Sequence, residues 1–365
     1  MKKYFMSTLF FVGFFCANAQ QQSDSTLTLE EIQFRDSIAL VNSKNSLIQE
    51  VQELYNSGTQ AFTSSKFKEA IVFFESVIIL DSNNVNAYFN MALSHKELEN
   101  YNSAISHFEN VLSIDSNYFD AIFNIAKCYE LMKKNKLALI NYTRLLELEP
   151  DRVEAAYNKG VIYYLQKDYS NAIKAYSKAI EIEPSHAYAL NDRGSCYRAI
   201  NEYNNAISDY LEAYKYDPKA FILNNLASAY RKAGEKDKAI EYYTKAVQSN
   251  PKYEISYNNR GAVYFELKEY DLALSDFKKA LELNSDYAKA LCNRAAVYHL
   301  QEHYTGALAD LNKAIELQPN NPTALLNRGI SREMLRDVDG ACQDWQKAYK
   351  LGIEKANEYY INNCE

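Results

Sequence analysis

The residues best suited by type and spacing to do chemistry are two histidines and a glutamate late in the chain. His299, Glu302 and His303 match the pattern H-x-x-E-H, which one class of zinc proteases uses to hold a metal ion beside a catalytic carboxylate. Both histidines must then lie on one face of one continuous helix, because only that arrangement lets two imidazoles share the ion. The elements that carry the motif therefore decide whether it can function.

Other patterns that support catalysis or phosphate binding are missing from the sequence. There is no G-x-S-x-G, P-loop or G-x-G-x-x-G pattern, and 10 glycines among 365 residues are too few to build phosphate cradles. The net charge is −7 and no basic run occurs, so a nucleic-acid partner is not expected, because phosphate contacts need clustered Lys and Arg. The sequence predicts no enzyme and no cofactor.

The elements that position these residues follow from an internal repeat. An alanine recurs at intervals of 34 residues, with one interval of 33, and a large ring or a leucine stands four residues after each copy. The recurring alanines are Ala70, Ala104, Ala138, Ala172, Ala206, Ala239, Ala273, Ala307 and Ala341. Each unit holds two amphipathic helices and cannot bury its own apolar face, so neighbouring units must stack.

This pattern resembles the tetratricopeptide repeat. Nine copies cover residues 51–355 and start at residues 51, 85, 119, 153, 187, 220, 254, 288 and 322. The resemblance implies an all-α, right-handed superhelical solenoid of nine helix-turn-helix repeats with capping helices at both ends. The repeat phase places His299 and His303 on opposite sides of the turn between two helices. We therefore expect two solvated histidines there and no metal site.

The start of the chain has the features of a secretory signal peptide over residues 1–19. A positively charged start precedes the apolar stretch Phe5–Phe15, and Ala17-Asn18-Ala19 forms a small-residue cleavage site. The apolar stretch is shorter than the roughly 20 residues that span a bilayer. Lipid anchoring at Cys16 is not favoured, because the bulky Phe15 precedes it. These features predict an exported protein, periplasmic or secreted, with no integral membrane segment after signal removal.

The two ends of the repeat array are expected to be capped. Residues 20–50 are interpreted as a linker and an N-terminal capping helix that begins at Thr28, with Glu31 at the spacing of a capping box. The apolar residues of this helix that could cover the first repeat are Leu29, Ile32, Phe34, Ile38 and Val41. Residues 356–365 are interpreted as a C-terminal capping helix.

Two cysteines, Cys342 and Cys364, lie near the C-terminus. The segment that contains them resembles the ending of many exported bacterial tetratricopeptide proteins. A turn at Leu351-Gly352 would bring both cysteines to similar heights on antiparallel helices. We expect a disulfide between them, with two unpaired thiols as the alternative.

The resemblance also implies a ligand groove on the concave face, lined by the first helix of each repeat. The candidate groove residues are Tyr55, Phe62, Phe89, Phe123, Tyr157 and Tyr164 in an aromatic half, followed by Asn191, Arg198, Asn224, Arg231 and Asn258 in a polar half. Aromatic anchors supply much of the energy at such surfaces, while Asn and Arg fix a peptide backbone or a carboxylate. The carboxylate clamp of chaperone-binding members is not expected, because its lysine and asparagine positions are not matched.

These features favour a non-catalytic scaffold that binds a peptide or protein segment in the concave groove. The sequence does not identify this partner. One alternative is a structural component of a cell-envelope assembly that contacts its partners through the convex face or the ends. A remote alternative is a carbohydrate-handling or enzymatic role.

Two further sets of polar residues are interpreted as structural. Asparagine recurs at the sixth position of seven repeats, where family members use it for packing between repeats (Asn90, Asn124, Asn158, Asn225, Asn259, Asn293 and Asn327). Four repeats carry Arg at position 7 and Asp at position 23, and they are the same four (Arg193 with Asp209, Arg260 with Asp276, Arg294 with Asp310, Arg328 with Asp344). Antiparallel helices bring these two positions to similar heights, so we predict four partly buried ion pairs within repeats.

Overall fold

The computed structural model describes residues 28–364, and over that range the backbone forms 19 α-helices and no β-strand. The prediction of an all-α fold built from stacked helix pairs is thereby confirmed. The predicted signal peptide and the start of the predicted linker lie outside the described residues. No helix within the described range is long and apolar enough to cross a membrane.

The first compact unit, within the described residues, runs from residue 28 to Glu149. Its described helices are α1 Leu29–Thr63, α2 Phe67–Leu80, α3 Val85–Glu97, α4 Tyr101–Ile114, α5 Phe119–Leu131 and α6 Asn135–Leu148. They pack as the pairs α1–α2, α3–α4 and α5–α6, and each pair also packs against the next.

The second compact unit, within the described residues, runs from Pro150 to Cys364. Its described helices are α7 Val153–Leu165, α8 Tyr169–Ile182, α9 Ala187–Ala199, α10 Tyr203–Tyr216, α11 Ala220–Lys232, α12 Lys236–Ser249, α13 Glu254–Glu266, α14 Tyr270–Leu283, α15 Ala288–Leu300, α16 Tyr304–Leu317, α17 Pro322–Met334, α18 Val338–Lys350 and α19 Glu354–Cys364. Consecutive helices pair within each repeat from α7–α8 to α17–α18, and α19 packs against α18.

The close approach of the two helices in a repeat depends on a small residue in the first helix. A Cβ atom added to Gly160 would lie 2.6 Å from the ring of Tyr176, and one added to Gly58 would lie 2.7 Å from the ring of Phe74. Both rings are fully buried, as is the recurring alanine four residues before each of them. The small residues and rings of the repeat pattern therefore form the core between paired helices.

The N-terminal capping helix predicted for residues 20–50 does not exist as a separate element. Helix α1 begins after Thr28, where the predicted capping box with Glu31 is present, and continues without a break to Thr63. No glycine or proline interrupts residues 28–57 to end it. The helix therefore carries its apolar residues away from the first repeat, and Leu29 and Phe34 are 75% and 68% exposed.

The C-terminal helix α19 does cover the last repeat. Ala356 is fully buried, and the ring of Tyr359 stacks on Trp345 with centroids 5.3 Å apart. Cys342 and Cys364 form a disulfide with their Cα atoms 5.9 Å apart. This bond fixes the end of α19 to α18.

Candidate functional site

The aromatic side chains predicted to line the groove are largely engaged inside their own repeats. Tyr55 packs on Phe74 with ring centroids 5.8 Å apart, and Phe89 packs on Phe108 at 5.4 Å. The same pairing of first-helix and second-helix rings recurs for Phe123, Tyr157, Phe62 and Tyr164. Tyr164 is the most exposed of the six, at 36%. These rings are therefore half-buried packing elements.

Three of the polar residues predicted to bind ligand are buried instead. Asn191, Asn224 and Asn258 are 5%, 6% and 0% exposed. Each side-chain carbonyl accepts a hydrogen bond from the asparagine at position 6 of the next repeat, at 2.8 to 3.1 Å (Asn225 to Asn191, Asn259 to Asn224 and Asn293 to Asn258). Neighbouring helices cover position 5, so these amides hold repeats together and expose little of their surface to a ligand.

One step of this asparagine ladder is occupied by a carboxylate, which the sequence analysis missed. Asp192 stands at position 6 of its repeat, and its oxygens accept hydrogen bonds from Tyr157 Oη and Asn191 Nδ2, each at 2.9 Å. The ring of His186 stacks on Tyr157 with centroids 5.0 Å apart. Burial raises the pKa of Asp192 more than these hydrogen bonds and His186 lower it. A neutral amide would fit this position without the free-energy cost of burying a charge.

The four arginine–aspartate pairs predicted from the sequence are brought together in the structure. The closest guanidinium-to-carboxylate distances are 2.7, 2.8, 2.7 and 2.6 Å, in chain order. Each carboxylate accepts two parallel hydrogen bonds, for example from Nε and Nη2 of Arg260 to Asp276. In three pairs the arginine Nη1 also donates to a side chain of the preceding repeat, such as Thr244. These arginines are thus used in packing within and between repeats.

The H-x-x-E-H residues do not share a helix. Helix α15 ends at Leu300, α16 begins at Tyr304, and Glu302 has the left-handed φ of 56° in the turn between them. His299 is not solvated as expected, because its Nε2 lies 2.8 Å from Oγ of Ser331 in the next repeat, whereas His303 is exposed. Across residues 28–364 no three His, Cys, Asp or Glu side chains are grouped to hold a metal ion.

Three of the predicted polar groove residues, Arg198, Asn224 and Arg231, line an open cavity of about 690 Å³ in the second unit. The first helices of four successive repeats (α9, α11, α13 and α15) supply most of its lining. We call this cavity the basic groove, defined by its charged residues Arg198, Arg231, Lys232, Glu266 and Lys289. Four cations and one carboxylate therefore face the same space.

The carboxylate of the basic groove is bound by its neighbours. Glu266 Oε1 accepts hydrogen bonds from Nε of Arg231 at 3.0 Å and from its Nη2, and Oε2 lies 3.5 Å from Nζ of Lys236. Burial alone would raise the pKa of Glu266. The hydrogen bonds and positive charge of Arg231 outweigh this effect, so the pKa lies below its ordinary value. The side chain is therefore ionised and spans two repeats.

The match to known families agrees with this architecture. Models described as tetratricopeptide repeat match residues 85–118, 120–152, 153–186, 187–219, 220–253, 255–287 and 288–321. The chain belongs to the tetratricopeptide repeat family. Tetratricopeptide repeat proteins are generally scaffolds for protein–protein interaction.

Solved structures show the same fold. One titled for the functional characterisation of Pseudomonas aeruginosa pilF is 22% identical, with a TM-score of 0.52 over 57% of this chain and 97% of that one. The Cut9–Hcn1 hetero-tetramer of the APC/C is 17% identical, with a TM-score of 0.56 over 86% of this chain and 76% of that one. Among curated proteins none matches the chain. At these identities the likeness extends to the tetratricopeptide fold alone.

Proposed function

We propose that this protein is a non-catalytic scaffold that binds a segment of a partner protein in the basic groove. The observation that carries the proposal is the open, cation-rich cavity formed by α9, α11, α13 and α15. Within this cavity Arg198 makes no ion pair among residues 28–364, so its guanidinium is open to a partner segment.

Site-specific photocrosslinking in cells that make the protein tests this function. The crosslinking side chain replaces Ala262 on α13, which lines the basic groove, and in a matched variant it replaces the exposed Lys245 on α12. We expect a defined partner band from position 262 that is absent from position 245. A partner that crosslinks at 245 and never at 262 would contradict groove binding.

A second interaction site is favoured by the exposed apolar stretch of α1. Leu29, Phe34, Leu40, Val41 and Ile48 are each more than half exposed. Large exposed apolar patches mark interaction sites, so the first part of α1 is a candidate contact within a cell-envelope assembly. Deleting residues 28–48 would abolish that contact while leaving crosslinking at position 262 unchanged.

We also propose that the protein is exported, in a periplasmic or secreted form. The Cys342–Cys364 disulfide supports this, because disulfides persist in oxidising compartments. Fractionation with N-terminal sequencing of the mature protein tests it. A mature chain that begins at Gln20 in the exported fraction is the expected result, and an uncleaved cytosolic chain would overturn the proposal.

A further inference from the structure

The basic groove has more positive charge than the chain itself neutralises. The whole chain carries a net charge of −7, yet Arg198, Arg231, Lys232 and Lys289 face one cavity with Glu266 as its carboxylate. Partial desolvation in the groove and the nearby positive charges of Arg231 and Lys232 lower the pKa of Lys289. The groove is therefore suited to an anionic ligand.

Glu266 shows how this groove holds a carboxylate. One of its oxygens accepts hydrogen bonds from two nitrogens of Arg231, which is the charge-assisted contact a ligand carboxylate would make. Arg198, one repeat earlier, has no carboxylate within ion-pair distance among residues 28–364. One of the two arginines is thus occupied by the chain's own side chain, and the other is open.

The positions of the two arginines set the spacing of the ligand. Arg198 and Arg231 occupy the same place in successive repeats, near the ends of α9 and α11, and these two helices contact each other. The axes of packed helices lie about 8–10 Å apart. A peptide in the extended polyproline II conformation has three residues per turn and rises about 3.1 Å per residue, so side chains three residues apart point to the same side and lie about that far apart.

We propose that the basic groove binds an extended, acidic segment of a partner protein, with two carboxylates three residues apart. One carboxylate binds Arg198, and the other binds Arg231 in place of Glu266. Glu266 is therefore an internal competitor that sets the affinity. This inference rests on the proposed scaffold function and specifies the chemistry of its partner.

Selection of displayed random peptides on the intact protein tests the inference, followed by affinity measurements on a synthetic peptide of the selected sequence. We expect enrichment of pairs of Asp or Glu three residues apart. Arg198→Gln should weaken binding of the synthetic peptide at least about tenfold, as for loss of a charge-assisted hydrogen bond. Glu266→Gln should strengthen it roughly fivefold, because glutamine competes less well for Arg231.

Arg144→Gln is the matched control, since Arg144 is an exposed arginine on α6 in the other unit. It should leave affinity unchanged. Arg198 makes no ion pair within residues 28–364, so its substitution should not affect folding, and circular dichroism checks this. Enriched peptides without the acidic pair, or equal affinities of the Arg198→Gln and Arg144→Gln variants, would overturn the inference and leave the scaffold function standing. No enriched peptide at all would overturn both.

Discussion

The Arg260–Asp276 pair gives a sharp test of how the repeats are held together. Asp276 is 7% exposed and Arg260 17% exposed in their side chains. Two parallel hydrogen bonds of 2.8 Å join them, and Arg260 Nη1 donates a third to Thr244 at 3.0 Å. Burial raises the pKa of Asp276 more than Arg260 lowers it. The pair is therefore costly to bury, and Asp276→Ala would leave a guanidinium with one remaining hydrogen-bond partner, Thr244, beside the rings of Tyr257 and Tyr264.

We expect Asp276→Ala to lower the free energy of unfolding by about 3 kcal/mol. Removing one partner of a buried pair typically costs 3–5 kcal/mol. The lower end applies here because Arg260 keeps its bond to Thr244 and some contact with water. The double variant Arg260→Leu with Asp276→Ala leaves no stranded charge, so it should cost about 1 kcal/mol.

Equilibrium urea unfolding followed by circular dichroism measures these differences, and hydrogen exchange in α13 and α14 localises them. Local measurement is needed because repeat arrays do not always unfold as one unit. Glu282→Gln, which breaks the exposed pair with Lys279, is the matched control and should change the free energy by less than about 0.5 kcal/mol. An Asp276→Ala effect no larger than the control, or a double variant that costs the sum of the two single variants, would refute the reasoning.

Three further predictions concern other parts of the chain. The Cys342–Cys364 disulfide closes a sequence separation of 22 residues, and reducing it should destabilise α19 by about 3 kcal/mol. Hydrogen exchange should then become faster in α19 alone, and unchanged exchange would contradict this. Asp192→Asn should raise the free energy of unfolding at pH 7 by about 1 kcal/mol. Burial raises the pKa of Asp192 because a charged carboxylate is costly to bury, and a neutral amide avoids this cost. A lower midpoint of urea unfolding would argue against the prediction. Burial lowers the pKa of His95 and His107 in the folded protein. On acidification these histidines are therefore protonated in the unfolded chain before they are protonated in the folded one, and stability should fall as the pH drops below about 6.5. The rings of His95 and His107 stack with centroids 5.2 Å apart. Replacing both with glutamine should flatten this dependence in urea titrations between pH 7 and 5, leaving the contribution of His299, whose pKa burial also lowers. A profile parallel to that of the unmodified protein would count against the His95–His107 pair as its source.

The parts of the fold that the sequence predicted well are those in which one pattern repeats. A small residue facing a ring, as in Gly58 and Phe74, recurs in unit after unit. The pattern therefore does not depend on a chance match in any one unit. The Arg–Asp pairs were detectable for the same reason, because the two residue types vary together across repeats. The buried position of Arg260 and Asp276 follows from antiparallel helix geometry alone.

The failures concern features that appear once or that depend on neighbouring helices. Helix α1 continues through residue 50 because no residue ends it, and repeat periodicity says nothing about the residues that precede the first repeat. Asn224 was assigned to an open surface because its position within the repeat is known, but its burial depends on how tightly the next repeat packs.

The basic groove was found only in part. Arg198 and Arg231 were identified by position. Lys289, at position 2 of the eighth repeat, lies beyond Asn258, the last residue predicted to line the groove. Lys232 and Glu266 lie at position 13, the last residue of the first helix, and only the packing of α11, α13 and α15 turns that position toward the same cavity.

The central claim is that the basic groove, and Arg198 within it, binds the partner protein. The most direct measurement is the affinity of the crosslinked partner for the Arg198→Gln and Arg144→Gln variants, by isothermal titration calorimetry at one salt concentration. We expect at least about a tenfold loss of affinity for Arg198→Gln and no change for Arg144→Gln. Equal affinity of both variants and the unmodified protein would contradict it.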